Sequence, residues 1–91
     1  MDRIEYCEGV ETRLQELKTD LSRRAFPEPA TLEAARTMAA AREKHEALVQ
    51  RIDAALARVR ALRAGTDAGW ETVRDALDRE LAAIERLRAG G

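Results

Sequence analysis

The 91-residue chain reads as an all-α protein. Three amphipathic helices, at about 2–24, 31–64 and 67–88, are expected to form an antiparallel coiled-coil-like bundle with a long central helix. Three observations predict this. Apolar residues recur at intervals of three and four along almost the whole sequence, which is the spacing of one helix face. Strong breakers cluster at only two places, Phe26–Pro29 and Gly65–Gly69. Alanine, leucine, glutamate and arginine dominate, with 36% charged residues, a mix typical of coiled coils and long helices.

The first helix carries Cys7, Val10, Leu14, Leu17 and Leu21 on one stripe, with Ile4 beside it. Glu5, Glu8 and Glu11 load its front and Arg23 and Arg24 its end, a polarity that suits the helix macrodipole. Gly9 is expected inside the helix, at a cost of about 1 kcal/mol relative to alanine. Pro27 and Pro29 then remove two donors and push the residues before them into extended geometry. Phe26 is expected to fold back over the end of the bundle, and Thr31 to cap the second helix.

The second helix, some ~50 Å long, carries Ala35, Met38, Val49, Ile52, Leu56 and Val59, widened by Leu48, Ala55 and Leu62. Arg42 and His45 fall on the same stripe. Its first half is poor in bulk, with Ala34, Ala35, Ala39, Ala40 and Ala41 permitting close approach of a neighbouring helix. Gly65 is expected to end it in left-handed geometry, and Thr66 or Asp67 to cap the third helix. The third helix carries Trp70, Val73, Leu77, Leu81, Ile84 and Leu87. Asp67, Glu71, Asp75 and Asp78 would then face Arg58, Arg60 and Arg63 across a hairpin.

If each short helix folds straight back from its breaker, helix one covers helix two from about Leu32 to Asp53. Helix three then covers it from about Leu62 down to Lys44. The short helices overlap only near the middle, and apolar surface is left over. A homodimer or higher oligomer, or a protein partner, would cover it. Alanine adds propensity but little burial, and only Tyr6, Phe26 and Trp70 are aromatic, so a chain this small gains from association.

Residues 62–73, Leu-Arg-Ala-Gly-Thr-Asp-Ala-Gly-Trp-Glu-Thr-Val, resemble the repeated segment of small bacterial alanine- and arginine-rich coiled-coil proteins labelled as stress-response proteins. The resemblance extends over about 48–84. Tyr6 followed by Leu14 and Leu17 is similar to their first helix. Leu81 stands where a second tryptophan often follows, and the Phe26–Pro29 break and Cys7 lie outside the pattern. The resemblance implies helical hairpins and a link to stress; it transfers no catalytic residue.

Chemistry-bearing residues are few. His45 lacks the second histidine of a zincin, because Val49 stands four residues on. It lacks the glutamate of a di-iron bundle, because Arg42 stands three residues before. The reading is a part-buried histidine bonded to a helix-one acid. Cys7 reads as a small buried hydrophobe, or as one half of a disulfide between two chains under oxidation. Trp70 reads as a packing anchor over the hairpin turn or as a partner hot spot. Glu43 with Glu46 and Asp75 with Asp78 read as solvated faces. No catalytic, cofactor-binding or metal-binding residue is assigned.

One domain, 1–91, is expected, non-enzymatic and cytoplasmic, acting as a self-associating helical interaction or scaffold protein. Met38, His45, Val49 and Trp70 are the candidate partner-binding residues. The alternative is an amphipathic module on a membrane surface, although mixed charge and few aromatics suit that poorly. A net charge of −1 and a pI near 5.9 argue against nucleic acid, which the Arg51, Arg58, Arg60 and Arg63 end of helix two would otherwise suit.

Overall fold

A computed structural model describes residues 2–24, 26–65 and 68–90. Helix α1 spans Arg3–Ser22, α2 spans Leu32–Ala64 and α3 spans Trp70–Gly90. Each α1 and α2 start is closed by its own cap. The Asp2 carboxylate accepts from the Glu5 amide at 2.8 Å, and Thr31 Oγ1 accepts from the Ala34 amide at 3.0 Å. Such caps are worth about 1 kcal/mol each. The expected caps Thr66 and Asp67 lie outside the described residues. No helix among the described residues is long and apolar enough to cross a membrane.

Both short helices run antiparallel to α2, and so parallel to each other. Lys18 Nζ meets Asp53 Oδ1 at 2.6 Å and Arg60 Nε meets Glu11 Oε1 at 3.3 Å, which sets the register of α1 on α2. Arg51 Nε meets Glu80 Oε1 at 2.9 Å on the α3 side. Arg13 pairs with Glu85, and Arg88 Nη1 with Asp20 Oδ2 at 2.6 Å, which ties α1 to α3.

The core follows the expected stripes. Tyr6, Cys7, Val10, Leu14, Leu17 and Leu21 of α1 are buried against Leu48, Ile52, Ala55, Leu56, Val59 and Leu62 of α2 and Leu77 and Ile84 of α3. Val49, Trp70, Val73 and Leu81 pack on the edge of this cluster. Leu87, expected on the stripe, is 49% exposed, because the last turn of α3 runs beyond the core. Gly9 lies within α1 with open space around it.

The register differs from a pair of tight hairpins. Helix α1 does not cover 32–53; it lies along the same C-terminal half of α2 that α3 covers. From the Lys18–Asp53 pair, Ser22 stands beside about Val49, and no described α2 residue before Leu48 is buried. Bulk explains the choice. The lower half of α2 offers Leu48, Ile52, Leu56, Val59 and Leu62, whereas the upper half offers mainly alanine, and each buried methylene contributes about 0.8 kcal/mol. The molecule is therefore a rod, 55 × 19 × 18 Å, with a radius of gyration of 16.1 Å. A compact chain of this length would have about 12 Å.

Two local expectations are corrected. Gly65 ends α2 with φ −85°, not in left-handed geometry; the positive φ belongs to Gly69, at 73°, one residue before α3. Helix α1 ends two residues earlier than expected, with Arg23 as its αR C-cap.

Candidate interaction surface

The upper half of α2, residues 32–47, rises about 24 Å past the top of α1, and from the Arg51–Glu80 pair α3 ends beside about residue 41, so the first turns of α2 stand clear of both helices by about 14 Å. The strap that leads up to it, Phe26–Thr31, lies along this half. The ring of Phe26 meets His45 edge-on at 5.2 Å between centroids, and the Arg42 guanidinium lies 5.6 Å from the Phe26 centroid. Further up, Pro29 shares a shallow groove with Ala35, Met38, Ala39 and Arg42. Phe26 thus folds back as expected, onto the flank of α2 rather than across the bundle's end.

The strap follows the side of α2 that α1 occupies lower down: Asp53 and Arg60 face α1, and Ala39 and Glu46 continue their row upward. The α3 side faces Arg51, and above it the row Lys44, Ala41, Thr37 and Ala34 runs up past the last turn of α3, which ends beside about residue 41. Ala34, Ala35 and Met38 are half-buried; Ala39, Ala40 and Ala41 are exposed. Leu32, in the first turn, is 71% exposed. The heptad spacing of the core continues through this region as Ala35, Met38, Arg42, His45 and Val49, so the upper half extends the seam past the end of α1.

The four candidate residues do not form one site. Met38, His45 and Val49 lie along one α2 face, with Val49 already packed on the core. Trp70 sits at the opposite end of the rod. Its ring lies 5.8 Å from that of Tyr6, and the Arg74 guanidinium lies 5.3 Å above it. Trp70 anchors the α1–α3 seam beside the turn.

His45 has no helix-one acid. Its Nδ1 is buried with no hydrogen-bond partner among the described residues, because α1 stops one turn below it. Of the acids expected to face the arginines of α2, Asp67 lies outside the described residues, and Asp75 and Asp78 take other partners. Glu11 of α1 takes both Arg60 and Arg63, the latter at 3.2 Å, while Asp75 pairs with Arg74 on its own helix. Asp78 instead accepts the Tyr6 hydroxyl proton at 2.6 Å, with the Arg74 carbonyl oxygen 3.1 Å from that hydroxyl. Burial, the bond to Asp78 and the charge of Asp78 together hold the Tyr6 hydroxyl well above its ordinary range. Cys7 is wholly buried, and burial pushes its thiol up against the opposing pull of Arg3 and Arg63. A disulfide between two chains would require the bundle to open.

Sequence reasoning missed three contacts: Phe26 on His45, Tyr6 on Asp78, and Arg3 on the end of α2. The Phe-Pro-Glu-Pro run signalled the first, because two prolines favour an extended strap over a tight turn. No group of three or more histidine, cysteine or acidic residues is placed to hold a metal ion among the described residues. Compared with protein families, with curated proteins and with solved structures, the chain matches none of them.

Proposed function

We propose that this chain is a non-enzymatic, self-associating helical interaction protein that presents the upper half of α2 to a partner helix. One observation carries the reading: the three-helix core buries α2 from Leu48 to Leu62, and the same seam then continues about 24 Å past the end of α1, with no buried residue on it. A helix that exposes small apolar residues along one side accepts an amphipathic helix by close approach. The ion pairs between helices, Lys18 with Asp53, Arg51 with Glu80 and Arg60 with Glu11, are spent on holding the bundle together, which suits a binding role.

Light scattering across a concentration series tests the self-associating part. The mass should rise above the 10.1 kDa of one chain. A chain that stays monomeric to about 1 mM overturns it, since the free energy of association would then be weaker than about −4 kcal/mol.

A further inference from the structure

We propose that two copies of this chain exchange everything N-terminal to Leu32, so that each α1 and strap docks on the α2 and α3 of the other copy. This rests on the reading that the chain self-associates, and it names the contact. Between Phe26 beside His45 and the first turn of α2, the chain must climb about 20 Å, the length of the α2 segment between Leu32 and His45. The six steps available reach only about 21 Å when fully extended. The strap is therefore close to taut, and it then reverses direction over Pro29–Leu32 to enter α2.

Pro27 and Pro29 stiffen this segment in the extended direction and oppose the reversal. A short hinge under such tension favours passage to a second molecule over a turn back onto its own. Nothing is lost by the exchange. The contacts that dock α1, Lys18 on Asp53, Glu11 on Arg60 and Arg63, and Arg3 on the Leu62 carbonyl, are all remade with an identical partner. The balance between monomer and dimer then depends on the hinge and on any new contact beside it. Leu32 supplies that contact. It is the most exposed large apolar residue among the described ones, at 71%, and it stands at the hinge, where two copies would meet about a two-fold axis.

The Lys18–Asp53 pair provides the test in the unaltered protein, because an amine and a carboxylate 2.6 Å apart are joined by a zero-length carbodiimide. Lys18 is one of only two lysines, so the product is readily assigned. Unlabelled and nitrogen-15 chains are mixed, unfolded, refolded together and separated by size, and the dimer is linked, digested and weighed. Exchange predicts that about half of the Lys18–Asp53 links join a labelled to an unlabelled peptide. A dimer whose links never cross labels overturns the exchange and leaves self-association standing. A chain that yields only monomer overturns both. In a second arm, Pro27→Ala with Pro29→Ala should lower the dimer-to-monomer ratio about ten-fold by loosening the hinge. An unchanged ratio removes the strap as the cause and overturns the proposal.

Discussion

Arg3, at the start of α1, donates from Nη1 to the Leu62 carbonyl oxygen at 2.6 Å and to that of Arg63 at the same distance. The first residue of one helix thereby closes the last turn of another. The final carbonyls of a helix have no partner of their own and carry partial negative charge, so a cation is favoured there. This contact does what a left-handed glycine would otherwise do at Gly65. Arg3→Ala should cost about 1 kcal/mol, and in a domain of this size lower Tm by about 5 °C. Thermal unfolding followed by circular dichroism measures it; an unchanged Tm would mean that water serves the α2 carbonyls equally well.

The glycines separate two effects. Gly69 adopts φ 73°, where a Cβ clashes with the backbone, so Gly69→Ala should destabilise by roughly 1–2 kcal/mol although nothing crowds its side. Gly9 lies in mid-helix with open space around it, so Gly9→Ala should stabilise by about 0.5–1 kcal/mol through helix propensity alone. The two Tm shifts should have opposite sign. Shifts of the same sign would contradict the backbone assignment of one of them.

Tyr6 and Cys7 give the fold an alkaline limit. Both hold their protons more tightly when folded, Tyr6 above its ordinary 10.0 and Cys7 above its ordinary 9.0, with burial the largest cause in each. The unfolded chain thus releases protons first. Their contribution to stability is complete below about pH 9 and drains away as pH rises through 9 and 10. Tyr6→Phe should cost about 1 kcal/mol near neutrality, through the lost bond to Asp78, and flatten the part of the loss above pH 10. Tm against pH for the two proteins checks it, and parallel curves above pH 10 would assign the limit to other groups.

The three-and-four spacing makes the helices and nearly all of the core legible in the sequence, because burial follows periodicity whatever the register. The register itself is not legible. Ala35, Met38, Arg42, His45, Val49 and Ile52 keep the same spacing as the residues below them, so α1 could in principle lie on either half of α2. Side-chain bulk decides, and the strap must be long and straight enough to permit the decision. Read only as a stop, Phe26–Pro29 hid that second role. Misplacing α1 also misplaced its acids: Glu11, not the front of α3, meets Arg60 and Arg63. The candidate residues fared unevenly for the same reason. Met38 and His45 lie on the upper half, whereas Trp70 sits on the seam between α1 and α3, because amphipathic pattern marks a face without saying what covers it.

Leu14 and Met38 occupy similar positions in the pattern and should behave oppositely. Leu14 is wholly buried where the three helices meet, so Leu14→Ala should cost about 2–5 kcal/mol, enough to unfold much of a small domain at 37 °C. Met38 is half-buried beside the strap, above the last buried α2 residue, so Met38→Glu should change stability by no more than about 0.5 kcal/mol. Its effect should fall on association instead. A charge in the middle of the upper seam opposes any helix laid along it, so assembly beyond the dimer, and capture of a partner helix, should weaken. The exchanged dimer, held by α1 in the lower half, should keep its mass. Chemical denaturation and light scattering on the same samples separate these outcomes. A Met38→Glu chain that unfolds as readily as Leu14→Ala would show that the upper half belongs to the core, and the docking role would lose its surface.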